Sequence, residues 1–265
     1  MSALRVAIEG LGLWTSQLGS LDALRALLAG APVEPPPARP AAATLPPNER
    51  RRAPESVLLA TEVADQAVAM SGRAASELAC VFTSSHGDQA ITDYMCATLA
   101  ATPTELSPTK FHNSVHNAPV GYWTIATGCH AASTAVCAHM LSFGAGLLEA
   151  VSLVLADQRP VLLVCSDIAG SGPLREVTGC DQSFGAAVVL APVSNASALA
   201  RLTLRLSPGS EAADAPLAEP LATWRAGNPA ACALDLLVPL LQREAHARLA
   251  ASPSMELHLD MEYPG

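Results

Sequence analysis

The sequence predicts an α/β protein in which helices cover both faces of a layered sheet. Short apolar runs alternate with amphipathic helical segments along most of the chain. This alternation is typical of a sheet with mainly parallel strands. Half of the 265 residues are hydrophobic and only 15% are charged. Such a composition indicates a deeply buried sheet, a large subunit interface, or both.

The first elements are a strand, a short helix and a proline-rich segment. A buried strand is predicted at Leu4–Ile8, ended by Gly10 and Gly12, and an amphipathic helix at Leu21–Leu28. The next segment, Pro32–Pro47, contains too many prolines for a helix or a central strand. We expect an extended surface excursion and not a domain linker, because one short helix before it would not fold alone.

A helix, a strand and a second helix follow. Proline in the first turn and a regular apolar face predict a helix at Pro54–Met70. Leu78–Phe82 is predicted to be a buried strand that runs into a polar segment, and Ile91–Leu99 a helix. The polar, proline-containing segment Thr102–Pro119 is predicted to be a loop.

Four more strands and one long helix complete the predicted sheet. The apolar run Tyr122–Ala126 is predicted to be a strand, and His130–Asp157 a very long, buried helix rich in small residues. Further strands are predicted at Val161–Cys165, Gly185–Leu190 and Leu202–Leu206.

These elements predict one domain at residues 1–206, with a short extension at 207–265 that packs on the same domain. After a polar stretch, the extension contains a helical region at Ala230–Leu249, kinked at Pro239, and a strand at Glu256–Glu262. One helix and one strand are enough to fill a sheet edge but not to form another βαβα unit.

The net charge argues against two classes of partner, and the cysteine content indicates the cellular compartment. The net charge of −9 argues against binding to nucleic acid or to an anionic membrane. The short basic run Arg50–Arg52 is more typical of a solvated helix start. Seven cysteines without a CxxC pair indicate reduced thiols in a cytoplasmic protein. We expect no signal peptide, and no membrane span in the apolar stretch Ala145–Ala156, which Glu149 interrupts.

Cys129 is the candidate nucleophile. It follows Gly128 between the predicted strand and the predicted long helix, so its sulfur would point at a helix N-terminus. Unpaired N–H groups and the helix dipole at that position would favour a thiolate. The alternative, a buried structural cysteine, is equally compatible with the residues.

A second candidate is the motif Phe111–Asn117, which contains two histidines four residues apart. His112 and His116 could lie on one face of a helical turn and act on a nucleophile or bind a metal. No recognised ligand spacing accompanies them, so no metal is predicted. The alternative is a hydrogen-bonded loop in which Asn113 and Asn117 satisfy backbone groups. No P-loop, GxGxxG, HExxH or GxSxG motif is present, and no cofactor is predicted.

Several segments resemble one family. Ile125–Ala131, which leads into the small-residue segment, resembles the nucleophile segment of β-ketoacyl synthases. Asp181–Leu190 resembles the glycine-to-strand segment that closes the N-terminal half of those enzymes. The segments Asn48–Glu55, Leu106–Trp123 and Gly146–Ala150 resemble the short, ketosynthase-like chain length factors of aryl polyene and xanthomonadin-type pigment pathways.

The resemblance, which spans Leu4–Pro192, implies one half of the duplicated thiolase-like fold. In complete condensing enzymes the first half supplies the nucleophilic cysteine, and the second supplies two further catalytic residues, commonly histidines. The resemblance places Cys129 at the nucleophile position and matches nothing to the second half. Chain length factors often lack a cysteine there, so Cys129 departs from their pattern. The motif residues to which the resemblance gives binding or structural roles are Phe111, His112, Asn113, His116, Asn117, Trp123 and His130.

The sequence is compatible with three functions. The leading prediction is a chain length factor subunit that pairs with a full-length ketosynthase as a heterodimer and shapes the acyl tunnel without condensing alone. An acyl carrier protein would reach it through the complex. The alternative is a free-standing acyltransferase that uses Cys129 as nucleophile and His112 or His116 as base. A third class is a structural protein that self-associates as a homodimer.

Overall fold

The structure is a computed structural model that describes residues 3–193, 198–209 and 217–264. Its strands form one eight-stranded sheet in the order β3-β2-β4-β5-β1-β6-β8-β7. The strands are β1 (Leu4–Thr15), β2 (Ala79–Thr83), β3 (Ser133–Val136), β4 (Val161–Asp167), β5 (Phe184–Ala191), β6 (Ala200–Pro208), β7 (His246–Ser252) and β8 (Met255–Glu262).

Ten α-helices lie in the described part of the chain. They are α1 (Leu21–Leu28), α2 (Pro47–Arg52), α3 (Glu55–Ser71), α4 (Gln89–Ala101), α5 (Pro108–Asn113), α6 (Ala118–Thr127), α7 (Ser142–Asp157), α8 (Gly172–Thr178), α9 (Leu221–Gly227) and α10 (Leu234–Leu241). The predictions for α1, α3 and α4 are confirmed to within a few residues. The predicted loop at Thr102–Pro119 is only partly correct, because it contains α5 and the start of α6.

Helices cover both faces of the sheet, which confirms the predicted α/β layering. On one face, α7 packs on β1, β2 and β4, and α10 packs on β7. On the other face, α3 packs on β1, β4 and β5, and α6 packs on α3. The first layer buries Phe143 and Phe184, and the second buries Val63 and Trp123. This burial of apolar side chains on both faces explains the hydrophobic composition.

The strand directions differ from the prediction of a mainly parallel sheet. Only β2 with β3 and β2 with β4 pair in parallel. The other five pairings are antiparallel. Parallel neighbours need a crossover from one end of the sheet to the other. The segment with α8 leaves and re-enters the sheet at the same end, so β5 runs antiparallel to β4.

β1 does not stop at its glycines as predicted. It continues to Thr15, with an irregularity between Ile8 and Gly10. A Cβ at Gly10 or Gly12 would lie 2.0 or 2.1 Å from a carbonyl oxygen of α3. The glycines therefore allow the strand and α3 to approach each other closely and do not end the strand.

Two predicted elements near Cys129 are wrong. Tyr122–Ala126 lies inside the helix α6 and is not a strand. The predicted long helix at His130–Asp157 is divided into β3, a 3₁₀ turn at His139–Leu141 and the helix α7. β3 forms because its backbone pairs in parallel with β2, from Cys80 opposite Ser133 onwards.

The C-terminal segment also differs from its prediction. The region Ala230–Leu249 is a 3₁₀ turn, the helix α10 with Pro239 inside it, and the start of β7. β7 and β8 form a hairpin, and β8 pairs with β6, so the hairpin extends the main sheet. The predicted strand at Glu256–Glu262 is confirmed as β8.

The proline-rich segment forms no helix or strand between residues 31 and 46. Two carboxylates of α3 hold it in place. Glu62 accepts the N–H of Ala42 at 2.8 Å, and Asp65 accepts the N–H of Thr44 at 3.2 Å. Leu45 is buried beside α3. The segment is thus packed on the helix that follows it.

The segment His139–Asp157 is long and apolar enough to cross a membrane, by length and composition only. It is longer than the Ala145–Ala156 stretch noted in the sequence. Most of it is the helix α7, which packs on the sheet with Phe143, Leu147 and Val151 fully buried. A helix in the core of a layered domain has this composition for the same physical reason as a membrane helix.

Candidate functional site

Cys129 does not lie at the N-terminus of a helix. α6 ends at Thr127, and Gly128 takes a left-handed conformation with φ 63°. The N–H of Cys129 then closes the helix end on the carbonyl oxygen of Thr124 at 2.9 Å. The next α-helix begins only at Ser142. The predicted activation of Cys129 by a helix dipole is therefore wrong, since the dipole acts within about one turn.

The Cys129 thiol is buried next to a second thiol. The Sγ atoms of Cys129 and Cys80 donate to the same carbonyl oxygen, that of Leu78, at 3.2 and 3.4 Å. Burial raises the pKa of the Cys80 thiol and the nearby Cys129 raises it further, whereas the Trp123 indole acts in the opposite direction. Buried, hydrogen-bonded core thiols are typical of structural cysteines.

The strand-to-helix junction expected at Cys129 is occupied by Cys137. This residue directly follows β3, and α7 begins five residues later. Its side chain is exposed, and its Sγ donates to the carbonyl oxygen of Ser85 at 3.3 Å. A thiol in this position is accessible to a reagent or substrate, unlike that of Cys129.

Two serines hold the turn that carries Cys137. The hydroxyl of Ser85 donates to the carbonyl oxygen of His139 and lies 3.1 Å from the hydroxyl of Ser142. The Ser142 hydroxyl accepts the N–H of Ala138 at 3.0 Å. His139 itself has φ 51°, in the left-handed region. Side-chain hydrogen bonds thus stabilise a backbone conformation that is uncommon for histidine.

A buried carboxylate supports this turn through the loop after β2. Asp167 accepts the hydroxyl of Ser84 at 2.7 Å, the N–H of Ser85 at 2.9 Å and the N–H of His86 at 3.1 Å. Burial raises the pKa of the Asp167 carboxyl, and these hydrogen bonds oppose the rise. The loop that contacts Cys137 is therefore fixed by one side chain of β4.

Two imidazole rings meet at the turn that carries Cys137. The rings of His86 and His139 meet edge to face, with centroids 5.6 Å apart. Burial lowers the pKa of His86; the Asp167 carboxylate opposes this change, and His139 adds to it. Neutral imidazole is therefore favoured for His86 at pH 7, as a general base requires.

The turn carries an exposed thiol at Cys137 and an imidazole at His139. Thiol and imidazole are the groups that nucleophilic acyl transfer uses. Across residues 3–193, 198–209 and 217–264, no three His, Cys, Asp or Glu side chains are grouped to hold a metal ion.

The two histidines of the Phe111–Asn117 motif lie in different cavities. His116 lines a small cavity of about 20 Å³ at the ends of β2 and β4. His112 lines a separate surface groove. Within the described residues, no hydrogen bond connects either imidazole to Cys129. The predicted pairing of these histidines with Cys129 therefore has no support in the structure.

The other predicted motif residues have varied surroundings. Asn113 is buried and accepts the hydroxyl of Tyr122 at 3.2 Å, which ties α5 to α6. Asn117 precedes α6, and its carbonyl oxygen accepts the N–H of Gly121 at 3.0 Å. Trp123 is buried in the core, and His130 is exposed. Asn113, Asn117 and Trp123 thus have structural contacts.

The groove next to His112 is apolar and open, with a volume of about 430 Å³. Its lining residues are Leu45, Pro46, Glu49, His112, Val115, Asn117, Ala118, Gly121, Tyr122, Ile125 and Ala126. Val115 and Ile125 are 52% and 84% exposed, and Phe111 on α5 is 59% exposed. We call this groove together with Phe111 the α5–α6 face. Exposed apolar side chains grouped in this way mark an interaction surface.

Sequence reasoning missed the residues around Cys137, although two signals were present. The polar run that follows β2 contains Ser85 and His86 and directly continues a buried strand. The short segment Ser133–Val136 contains β-branched residues typical of a strand. Their importance is visible only once β2, β3 and β4 are placed side by side.

Comparison with known proteins identifies the family. A family model described as "Beta-ketoacyl synthase, N-terminal domain" matches residues 28–252. The chain therefore belongs to the β-ketoacyl synthase N-terminal domain family, as its sequence motifs suggest. No curated protein matches the chain.

Solved structures share the fold. One is the ketosynthase ApeO in complex with its chain length factor ApeC from Xenorhabdus doucetiae, with 23% identity, a TM-score of 0.73, and coverage of 97% of this chain and 99% of that chain. The AntDE:AntF complex of a ketosynthase with an acyl carrier protein matches with 12% identity, a TM-score of 0.77, and 99% and 100% coverage. The ishigamide ketosynthase/chain length factor matches with 12% identity, a TM-score of 0.74, and 98% and 100% coverage. These matches confirm the thiolase-like ketosynthase fold.

Proposed function

We propose that this chain is a chain length factor-type subunit, which pairs with a full-length β-ketoacyl synthase and shapes the acyl tunnel of the pair. The reaction is chain elongation of the fatty-acid or polyketide type, including that of aryl polyenes. Family membership and the likeness to ketosynthase complexes support this function. The condensing residues would come from the partner.

The observation that carries the proposal is the α5–α6 face. Phe111, Val115 and Ile125 are each more than half exposed, and Val115 and Ile125 line the same groove. Burying such a side chain in an interface contributes roughly 1 kcal/mol or more. A partner that covers this face therefore gains binding energy that the isolated chain leaves unused.

The sheet edge next to this face supports the same function. β3 is the outermost strand on its side of the described sheet, and it contacts α6. Its outer backbone groups pair with no other strand of the described residues. An edge strand beside an apolar surface is suited to pairing with another subunit.

A group of cations supports access by an acyl carrier protein. Arg51 and Arg52 are exposed on α2, and Lys110 lies on α5. Arg52 and Lys110 line one surface cavity of about 440 Å³. Among the described residues, none of these three cations forms an ion pair. On a chain with net charge −9, this basic patch (Arg51, Arg52, Lys110) favours an acidic partner.

We also propose a cytoplasmic location. All seven cysteines are free thiols in the structure. Free thiols in this number are typical of a reducing compartment.

Co-expression with a full-length ketosynthase, followed by size-exclusion chromatography, tests the proposal. We expect the two chains to elute together. Deletion of the gene is expected to abolish the pathway product, and the Cys129→Ala variant is expected to restore it. A stable monomer that never elutes with the ketosynthase would contradict the proposed function.

The exposed Cys137 favours a second candidate function, acyl transfer from a thioester. Its sulfur would attack the thioester carbonyl, the carrier thiolate would leave, and His86 would accept the thiol proton. Catalysis by Cys129 stays a prediction, but its buried position gives it less support. Incubation with an acyl-coenzyme A and intact-mass analysis tests the candidate. An acyl adduct lost in Cys137→Ser is expected, and an unmodified mass would exclude it.

A further inference from the structure

Cys80 and Cys129 bring two thiols together from different elements. Cys80 lies on β2, the strand next to the edge strand β3, and Cys129 follows the end of α6. Both thiols donate to the carbonyl oxygen of Leu78. Other cysteine thiols donate to carbonyl oxygens of different residues: Cys137 to that of Ser85, Cys180 to those of Ile168 and Gln182, and Cys232 to that of Met140. The shared acceptor thus distinguishes Cys80 and Cys129 from these bonds.

The chain that follows Cys129 joins the strand that carries Cys80. The N–H of Cys80 donates to the carbonyl oxygen of Ala132 at 2.9 Å, and Cys80 is paired with Ser133 in the sheet. Ser133 lies only four residues after Cys129, so a short segment connects Cys129 to the partner strand of β2. A disulfide requires Cα atoms within about 7 Å and Cβ vectors that converge. The shared acceptor places both sulfur atoms within 3.4 Å of one oxygen atom, and this proximity favours closure.

The two thiols differ in accessibility. Cys80 is fully buried, whereas Cys129 is 7% exposed and lies between the exposed residues Gly128 and His130. A small oxidant therefore reaches Cys129 first. Cys80 is placed behind it, where a resolving thiol would have to be.

We propose that Cys80 and Cys129 form an oxidant-sensitive pair that closes to a disulfide with a peroxide as oxidant. The Cys129 sulfur attacks hydrogen peroxide, which gives a sulfenic acid and one water. The Cys80 sulfur then attacks the Cys129 sulfur, the S–OH bond breaks, and the thiol proton leaves with the hydroxide as a second water. Two thiols and one peroxide thus yield one disulfide and two waters.

Burial sets the rate of the second step. It raises the pKa of the Cys80 thiol, so the Cys80 thiolate is scarce at pH 7. Closure is therefore expected to be slow at pH 7 and to accelerate as pH rises. Such a pair responds to sustained oxidation and not to short exposure.

The disulfide would change the proposed partner surface. It would join the end of α6 to β2, and α6 carries the exposed Ile125 of the α5–α6 face. We expect the cross-link to change the dissociation constant for the ketosynthase at least threefold, because α6 can then adjust less on binding. This consequence rests on the proposed function, whereas the cross-link itself does not.

The test uses the full chain with Cys96→Ser and Cys137→Ser, which remove the two exposed thiols. Cleavage after glutamate then gives peptides 78–105 and 106–149, each with one cysteine. After hydrogen peroxide treatment and acid quenching, mass spectrometry should find these peptides joined, and dithiothreitol should separate them. Cys165, which is fully buried, serves as the unreactive control.

Two variants keep the proposal falsifiable. Cys80→Ala should allow oxidation of Cys129 to its sulfinic acid without a cross-link, and Cys129→Ala should leave Cys80 reduced. Sulfinic Cys129 without a joined peptide in the parent chain would overturn the proposal. If the peptides join but ketosynthase pairing is absent even in the reduced chain, the proposed function fails while the redox pair stands.

Discussion

The thiol of Cys137 donates a hydrogen bond to the carbonyl oxygen of Ser85 at 3.3 Å. This contact connects the β3–α7 turn to the loop after β2. The Asp167 carboxylate holds the same loop from the end of β4. The exposed thiol therefore has a fixed position at the ends of the three parallel strands, and its accessibility is a property of the fold.

We expect iodoacetamide at pH 7 to label Cys137 at least about tenfold faster than Cys129, because labelling requires an accessible thiol. Cys137 is exposed, whereas Cys129 is 7% exposed and hydrogen-bonded. Timed labelling followed by fragmentation mass spectrometry measures both rates in one sample. Cys165, fully buried, gives the lower limit. Equal rates for Cys129 and Cys137 would contradict the assignment of the junction to Cys137.

Asp167 is expected to make folding stability depend on pH. Burial raises the pKa of its carboxyl in the folded chain, so the folded chain holds this proton more tightly than the unfolded chain. Stability from this group is present below the unfolded pKa of about 3.9 and is lost as pH rises through the folded pKa. The Asp167→Asn variant has no carboxyl to titrate at this position, so this loss of stability is absent.

The measurement for Asp167 is the free energy of unfolding by urea at a series of pH values. We expect the stability of Asp167→Asn relative to the parent chain to increase as pH rises from about 4, and then to level off above the folded pKa. Subtracting the two profiles cancels the contributions of other groups. Parallel profiles would show that Asp167 does not titrate differently in the two states.

Much of the fold could be predicted because burial leaves a direct pattern in the sequence. Apolar runs identify β2, β4 and β5, and the period of the apolar residues identifies α3. The errors come from effects that only pairing in space can show. The sequence prediction places the residues of β3 in a long helix because that region is rich in small residues, but their backbone is paired with β2. Gly128, taken as the end of a strand, is the left-handed cap of α6.

The candidate site was harder to predict for the same reason. Cys129 and Cys137 both follow apolar residues, so sequence alone does not decide which one precedes the core helix. The answer depends on where β3 joins the sheet. Asp167 lies 30 residues beyond Cys137 in the sequence, and it reaches the turn only through hydrogen bonds to Ser85 and its neighbours.

Gly12→Ala is expected to destabilise the chain. Its Cβ would lie 2.1 Å from the carbonyl oxygen of Val63, so β1 and α3 would have to move apart. Overpacking of this kind costs about 1–3 kcal/mol, and a backbone contact belongs at the upper end. Urea titration measures the change. Gly121→Ala is the control, because a Cβ there meets nothing within 4 Å; a smaller loss for Gly12→Ala than for Gly121→Ala would contradict the close approach.

Reversal of charge in the basic patch is expected to weaken carrier protein binding. Arg51→Glu with Arg52→Glu should reduce affinity about tenfold at low salt, and the difference should shrink as salt screens the charges. Arg201→Glu with Arg248→Glu, two exposed arginines on β6 and β7, is the matched control. Fluorescence anisotropy of labelled holo acyl carrier protein with the assembled pair measures both. Equal losses of affinity in the two double variants would contradict a specific role for the basic patch, because net charge alone would then explain the effect.

Ile125→Glu is expected to prevent pairing with the ketosynthase and to leave the chain folded. Ile125 is 84% exposed on α6, so a charge there costs little in the monomer but would be buried without a partner in the interface. Val177→Glu is the control, because Val177 is 82% exposed on α8 and does not line the groove of the α5–α6 face. In size-exclusion chromatography the Ile125→Glu variant should elute separately from the ketosynthase, whereas the Val177→Glu variant should co-elute with it. Co-elution of both variants would exclude the α5–α6 face as the interface.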